Sequence, residues 1–188
     1  LRYRNLRNIP ASRFWEDSDR ESRVCAREVG PGFSFRGWDK YYWLTAEAEI
    51  PEAFCGEEVL GLFDFGAPSG TGNNGNFESL LYINDVPYQA VDGNHREVFF
   101  GPGVCGKKLQ LKFRLWTGLS GGGIPKDNVM EICRAQIGVL DRSADDLYYL
   151  TTAALETYEA LSAENEYREW ILNCLLYTSD AADDSLRV

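Results

Sequence analysis

The sequence predicts a mainly β fold, an antiparallel β-sandwich that is followed by a C-terminal helical linker. Three observations predict it: period-two alternation of apolar residues in the middle of the chain, short apolar runs divided by Gly- and Asn-rich turns, and a helical apolar period after Ser143. Repeated short strands with such turns are typical of antiparallel sandwiches. With 188 residues, the chain is long enough for one ordinary hydrophobic core and an appendage.

The clearest strand patterns lie between residues 43 and 116. In WLTAEAEI (43–50), aliphatic and small residues alternate with Thr and Glu, and Pro51 ends the strand because it has no backbone donor. In LQLKFRLW (109–116), leucines and Phe113 alternate with Gln, Lys, Arg and Trp. Both segments therefore predict half-buried strands. The shorter runs EVLGLFDF, SLLYIND and REVFF predict further strands between turn-rich segments.

A helical pattern begins near Ser143. Apolar residues recur at three and four positions from Leu147 to Leu161, and Ser143 with Asp146 forms an S-x-x-D arrangement that can cap a helix N-terminus. We predict a helix from residue 144 to about 173, with a break near SAEN. The predicted segments are an N-terminal extension (1–29), the sandwich (30–142), the helical linker (143–173) and a tail (174–188).

Charge and hydropathy argue against two classes of partner. The net charge of −10 and the scattered basic residues are unfavourable for binding nucleic acid. No apolar run approaches the roughly 20 residues that cross a bilayer, and LRYRNLRNIP lacks the apolar block of a signal peptide. We therefore expect neither a nucleic-acid nor a membrane partner.

The cysteines favour an intracellular protein. Their number is odd, their spacing is wide, and no CxxC pair occurs, so neither a disulfide framework nor a zinc ribbon is indicated. We predict reduced, mostly buried thiols in a cytoplasmic protein. The five cysteines are Cys25, Cys55, Cys105, Cys133 and Cys174.

Motifs for catalysis are not found in the sequence. The single histidine, His95, cannot supply an HxH or HExxH metal site, no GxSxG nucleophile elbow occurs, and SGGG is not followed by the GK[ST] of a phosphate loop. Glycosidic cleavage needs two carboxylates about 5 to 10 Å apart, and the scattered acids identify no such pair. We therefore assign no catalytic residue, metal ligand or cofactor to this chain.

His95 lies in the polar segment DGNHRE (92–97), between the predicted strands LLYIN and EVFF. One interpretation is a polar turn, in which Asp92 and Asn94 cap backbone amides and His95 bonds locally. The other is a contact site, because loops on a rigid sandwich often carry contacts. In that case Asp92 orients His95, and Arg96 pairs with a carboxylate or with sugar hydroxyls.

Three longer segments carry a family resemblance: FRGWDKYYWLTAEAEIPEAFCGEEVLGLFDFG, FESLLYINDVPYQAVDGNHREVFF and LQLKFRLWTGLSGGG. In order and spacing they resemble the N-terminal domain of glycoside hydrolase family 38 α-mannosidases of the cytosolic and vacuolar type. The matching residues are Trp43, Ile50-Pro51, Leu81 to Asn84, Asp92, His95-Arg96 and Thr117-Gly118. Asp85 stands where a turn glycine is usual, and Ala90 replaces the glycine before the Asp.

The resemblance extends over roughly residues 30 to 173, since AALETYEALSAENEYREWILN resembles the family's linker before the catalytic barrel. A related pattern marks the jelly-roll, galactose-binding-like domains of β-galactosidase-like enzymes. The parent protein could therefore belong to either kind of glycosidase.

The α-mannosidase resemblance implies a parent that hydrolyses terminal α-mannosyl residues with retention. Its barrel domain holds zinc through His and Asp ligands and uses an Asp nucleophile, and none of those motifs is in this chain. The resemblance therefore implies an accessory fragment whose partners are the missing catalytic domain and α-mannoside glycans, in a parent that could form a homo-oligomer. Two alternatives are a free carbohydrate-binding module, with Trp43, Tyr88 or Trp116 stacking on sugars, and a purely structural domain.

The residues that we expect to bind substrate or to contact the catalytic domain are Asp92, Asn94, His95, Arg96 and Trp116. The last fifteen residues, CLLYTSDAADDSLRV, resemble a translated sequencing adaptor. We therefore expect residues 174–188 to be non-native, and either disordered or at most a frayed extension of the preceding helix. On this interpretation the chain is a fragment that stops before its main domain.

Overall fold

The computed structural model describes residues 1–10, 12–18, 26–66, 77–119 and 124–185. The chain divides into two compact units, a β unit (Tyr3–Leu140) and a helical unit that joins Leu1–Arg2 to the residues from Asp141 onward. Within the described residues, no helix is long and apolar enough to cross a membrane.

The described part of the β unit contains twelve strands and one 3-10 turn, Glu52–Phe54. The strands are β1 (Tyr3–Asn8), β2 (Ser12–Glu16), β3 (Arg27–Val29), β4 (Ser34–Gly37), β5 (Tyr41–Glu49), β6 (Val59–Asp64), β7 (Glu78–Ile83), β8 (Val86–Asp92), β9 (Glu97–Phe99), β10 (Lys108–Trp116), β11 (Asn128–Glu131) and β12 (Arg134–Leu140).

All strand pairs are antiparallel, and they form a six-stranded sheet (β3-β2-β5-β10-β7-β8), a four-stranded sheet (β1-β12-β6-β9) and a two-stranded sheet (β11-β4). One hydrophobic core contains residues from both larger sheets. For example, the rings of Phe63 in β6 and Phe113 in β10 have centroids 4.8 Å apart. The prediction of a mainly β, antiparallel sandwich followed by helices is confirmed.

The longest strand pair joins β5 and β10 and places Trp116 opposite Tyr41. The four apolar side chains from Leu109 to Leu115 are buried, and the residues between them are exposed or half-buried. β5 alternates in the same way, except that Ala46 is only half-buried. The period-two pattern therefore identifies correctly the two faces of the six-stranded sheet.

The residues that we predict to be an N-terminal extension contribute three strands to the sheets. β1 pairs with β12, and β2 lies between β3 and β5. Phe14 of β2 is buried, with its ring centroid 4.9 Å from that of Tyr42 and 5.1 Å from that of Phe35. The alternation in SRFWE is short, and these strands are stabilised by partners that are distant in sequence.

Cys55 and Cys105 form a disulfide, with Cα atoms 5.2 Å apart. The prediction of reduced thiols is therefore wrong for this pair. The Ile50 amide donates to the carbonyl of Lys107, and the Gly106 amide donates to the carbonyl of Ile50, each at 2.9 Å. Strand pairing thus brings together two cysteines with a sequence separation of 50, which cysteine spacing alone does not reveal.

The remaining described cysteines, Cys133 and Cys174, are not in disulfides, and both are exposed rather than buried. Cys25 lies outside the described residues. Disulfides persist mainly in oxidising compartments. The Cys55–Cys105 bond therefore argues against the predicted cytoplasmic location.

The helical unit contains α1 (Arg142–Ala160) and α2 (Glu166–Ser185), so the helix breaks at the SAEN segment as the sequence predicts. The N-cap differs from the prediction, because Asp141 rather than Ser143 precedes the first turn. The Ala144 amide donates to Asp141 Oδ1 at 3.1 Å, which is the usual role of an N-cap carboxylate. Arg2 Nε also donates to the buried Asp145 carboxylate at 2.6 Å, so the first residues of the chain are held against α1.

The predicted boundary between linker and tail at residue 174 is not a boundary in the structure. α2 continues across it to Ser185. Residues 174–185 contain no Gly or Pro that would stop a helix. The predicted tail is therefore an extension of the preceding helix as far as Ser185, and residues 186–188 lie outside the described part of the chain.

Candidate functional site

The Asp92–Arg96 loop carries the chain from β8 in the six-stranded sheet to β9 in the four-stranded sheet. Asp92 Oδ1 accepts the amides of Asn94 at 2.7 Å and His95 at 2.9 Å. The His95 amide also donates to the Asp92 carbonyl at 3.2 Å. These bonds form a carboxylate-capped turn, which matches the interpretation of the segment as a polar turn.

The Asp92 carboxylate also contacts the imidazole of His95, since Nδ1 lies 3.0 Å from each carboxylate oxygen. Burial raises the pKa of Asp92, but hydrogen bonds from the His95 side chain and from the two loop amides outweigh it. The pKa therefore lies below its ordinary value of 3.8. Asp92 is thus an ionised acceptor at neutral pH and a poor general acid.

Arg96 and its neighbours attach the loop to the four-stranded sheet. Arg96 Nη1 lies 3.0 Å from Asp64 Oδ2, and the Phe63 amide donates to the Arg96 carbonyl at 2.9 Å. The Tyr3 hydroxyl donates to the Glu97 carboxylate. The side chain of His95 is 67% exposed, and Asn94 is also exposed. Two predicted site residues therefore point to solvent, while Asp92 and Arg96 hold the turn.

Trp116 lies at the end of β10 on the outward face of the six-stranded sheet. Strand register places it between Tyr41 of β5 and Glu78 of β7, and Glu78 lies opposite Asp92 of β8. Tyr41, Trp116, Glu78 and Asp92 thus form one row across four neighbouring strands. The structure therefore brings together two of the predicted site residues, Trp116 and Asp92, which are far apart in sequence.

This row borders a groove of ≈ 290 Å³, which we call the outer groove. The residues that line it are Tyr41, Glu78, Ser79, Leu80, Tyr82, Ala90, Asp92, Arg114 and Trp116. Asn94, His95 and Arg96 are not among them. The sequence analysis missed Glu78 and Tyr41 as site residues, although Tyr41 lies at an outward position of a strand whose alternation was recognised.

The side chains of the outer groove are held by neighbouring residues. Trp116 Nε1 donates to Asp39 Oδ1 at 2.9 Å, and the Trp116 ring lies 6.4 Å from that of Tyr41 at an interplanar angle of 22°. The Arg114 guanidinium is 4.6 Å from the centroid of the Tyr41 ring and donates to Asp17 Oδ2 at 3.1 Å. The orientations of both rings are therefore fixed by contacts within the β unit.

The other two aromatic residues predicted to stack on sugars do not line the outer groove. Trp43 is on the same face of the sheet, but Lys112 Nζ lies 4.8 Å from the centroid of its ring. The Tyr88 hydroxyl donates to the Phe99 carbonyl at 2.6 Å, and Tyr88 borders a separate groove of ≈ 280 Å³. A third groove, of ≈ 490 Å³, lies beside the disulfide and is lined largely by the glycine-rich loop 101–105 and residues 56–59.

The residues that the structure describes do not form a zinc centre. Among them, no group of three or more His, Cys, Asp and Glu side chains is placed to hold a metal ion. The α-mannosidase resemblance implies zinc only in a separate catalytic domain of the parent enzyme, and we derive no chemical step through zinc for this chain.

Comparisons with known proteins give structural similarity only. No family model and no curated protein matches the chain. Similar solved structures include β-glucuronidase from Ruminococcus gnavus in complex with C6-substituted uronic isofagomine (11% identity) and with D-glucuronic acid (12% identity), each with a TM-score of 0.48. Each match covers 74% of this chain and 30% of the enzyme chain, so the chain spans about 30% of the length of these enzymes. Similarity at this level does not assign a family or an activity to the chain.

Proposed function

We propose that the chain is a non-catalytic β-sandwich domain of a glycoside hydrolase. The observation that carries this proposal is the bonding of the Asp92–Arg96 loop. Asp92 caps two amides of its own turn, and Arg96 is paired with Asp64. The segment of the sequence most suggestive of catalysis therefore joins the two sheets of the sandwich.

Several other residues of the family pattern also have structural roles. Ile50, which directly follows β5, is fully buried, and the buried Thr117 accepts the Lys40 amide through Oγ1 at 3.0 Å. Asn84 and Asp85 have φ values of 52° and 65° in the two-residue turn between β7 and β8. Such a turn needs residues that tolerate positive φ, which explains a turn glycine in the family and Asp85 here. The resemblance thus concerns the sandwich itself, which supports an accessory role.

For the parent enzyme, the sequence resemblance supports an α-mannosidase of family 38, whose zinc, nucleophile and α-mannoside substrate would belong to a separate catalytic domain. That domain would be the main partner of this chain. A β-galactosidase-like parent is the alternative, because its jelly-roll domains share the pattern of strand, tight turn and histidine.

The proposal is tested by hydrolysis assays on the purified chain. With zinc and magnesium supplied, we expect no release of nitrophenol from nitrophenyl α-mannoside, β-galactoside or β-glucuronide. Hydrolytic activity that co-purifies with the chain and is lost in the Glu78→Gln or Asp92→Asn variant would contradict a non-catalytic role. Sequencing the gene beyond the codon for Asn173, followed by the same assays on the parent protein, would distinguish the two kinds of parent.

A further inference from the structure

We infer that the outer groove binds one neutral pyranose ring, with the apolar face of the sugar on Tyr41 and Trp116 and its hydroxyls on Glu78 and Asp92. This inference deepens the proposed function, since it names the class of ligand that the domain would take. The groove is small for a ligand site, at ≈ 290 Å³, against roughly 300 to 1,000 Å³ for pockets that hold drug-sized ligands. Its size therefore suits a single ring.

The two aromatic rings offer a stacking surface of fixed orientation. Their planes differ by 22° and their centroids are 6.4 Å apart, so they lie offset rather than face to face. The indole is held by its bond to Asp39, and Tyr41 remains 39% exposed. The Arg114 guanidinium lies 4.6 Å from the centroid of the Tyr41 ring, so a ligand would stack on the part of that ring which stays exposed, and the fixed orientation of both rings limits the reordering that binding requires.

The carboxylates beside the rings select for hydrogen-bond donors. Glu78 and Asp92 continue the same row across the sheet, and Glu78 is exposed. An ionised carboxylate can only accept hydrogen bonds. Asp92 Oδ1 accepts two amides of the turn and Oδ2 lies 3.0 Å from His95 Nδ1, so the second lone pair of Oδ2 and the Glu78 carboxylate supply the acceptors. Sugar hydroxyls are donors that match these acceptors, and adjacent hydroxyls on one ring can reach both carboxylates.

The charges of the groove disfavour anionic and cationic ligands. Two carboxylates face a single guanidinium, Arg114, whose charge is already paired with Asp17, so a uronate or phosphate would be repelled. A cation at the Tyr41 ring would compete with the Arg114 guanidinium, which already lies 4.6 Å from the centroid of that ring. The ligand class that remains is an uncharged polyol with an apolar face, which describes a neutral hexopyranoside.

The inference is tested by saturation-transfer NMR and titration on the full chain. The neutral probes are methyl α-mannopyranoside and methyl β-galactopyranoside, and the charged probe is methyl β-glucuronide. We expect at least one neutral glycoside to bind with a dissociation constant in the millimolar range and the glucuronide to bind roughly tenfold more weakly or not at all. Tyr41→Ala and Glu78→Gln should each weaken binding by roughly two- to tenfold.

The matched controls are Tyr88→Ala, at an exposed aromatic residue that borders a separate groove, for the aromatic variant and Glu49→Gln for the acidic one. Both should bind as the unmodified chain does, and thermal unfolding would verify that all four variants are folded. The inference fails if no neutral glycoside binds at tens of millimolar, if the glucuronide binds as well as the neutral probes, or if the controls lose as much affinity as the groove variants. Each of these results leaves the non-catalytic role intact, because that role depends on the hydrolysis assays.

Discussion

Asp92 has two roles at the scale of the residue. Its Oδ1 atom closes the turn that carries the chain from one sheet to the other. Its position opposite Glu78 also makes it the last member of the row that borders the outer groove. Because the turn holds the carboxylate in place, the ionisation of Asp92 connects the stability of the sandwich with the charge of the groove.

We predict that Asp92→Asn reduces the loss of stability in acid. The pKa of Asp92 is lowered in the folded chain, so its ionised form contributes stability above the ordinary value of 3.8 and loses that contribution as the pH falls below it. The unmodified chain should therefore lose more unfolding free energy than Asp92→Asn when urea titrations are compared on either side of that value. Asp85→Asn, an exposed turn position that also tolerates Asn, serves as the control. An equal loss of unfolding free energy on acidification in the unmodified chain and in Asp92→Asn would contradict the prediction.

At the scale of the element, β10 organises the β unit because it pairs with β5 on one side and with β7 on the other. Its inward side chains pack in the core; they are those of Leu109, Leu111, Phe113 and Leu115. Its outward residues include Arg114 and Trp116, which line the outer groove. A single alternating strand therefore contributes to both the stability and the candidate site of the domain.

The disulfide between the 3-10 turn and the loop before β10 should stabilise the β unit. Replacing Cys55 and Cys105 together by Ser is expected to lower the unfolding free energy by roughly 2 to 4 kcal/mol, because a cross-link over such a separation restricts the unfolded chain. Urea denaturation without reductant measures this loss. Cys133→Ser, at an exposed thiol, should change stability by less than about 0.5 kcal/mol.

A peptide map under non-reducing conditions provides the complementary measurement. Peptides that contain Cys55 and Cys105 should be recovered linked and should separate after reduction. If those peptides are recovered apart, and the double Ser variant is as stable as the unmodified chain, the disulfide does not form in solution and the argument against a cytoplasmic location is lost.

Secondary-structure elements could be predicted from the sequence where a local pattern determines them. β5, β10 and the helical region were predicted because alternation over eight residues, or a helical apolar period, requires no knowledge of the partner strand. β2 was missed because SRFWE is short and is stabilised by β5, and the Cys55–Cys105 pair was missed because strand pairing alone brings it together. The outer groove could be predicted only in part, since Trp116 and Asp92 are recognisable singly, while their common row depends on the register of β10, β7 and β8.

At the scale of the whole molecule, the two units differ in how many of their described side chains are buried. The β unit has a core that draws on both larger sheets. Among the described side chains of the two helices, only Asp145 is buried, while Leu150, Trp170 and Tyr177 are 66–79% exposed. The helical unit therefore has little apolar burial of its own to stabilise it.

This difference predicts unequal amide hydrogen exchange. Amides of α2 from Cys174 onward should exchange much faster than those of Leu109 to Leu115, because none of the side chains from Cys174 to Tyr177 is buried and local opening there needs less free energy. Mass-spectrometric exchange on the full chain measures both segments in one experiment, and α1 provides an internal comparison. Exchange beyond Cys174 that is as slow as in β10 would show that this part of α2 is firmly packed.

The pairing of β1 with β12 has a consequence for how the β unit is made. The first strand of the chain finds its partner only in the last strand of the unit, since Tyr3 lies opposite Leu140. During synthesis β1 therefore has no β12 to pair with until about residue 140 has left the ribosome. Pairing between strands so distant in sequence is slow to form. The four-stranded sheet is consequently expected to be completed late, and a polypeptide that stops before β12 would leave β1 and β6 without the strand that joins them.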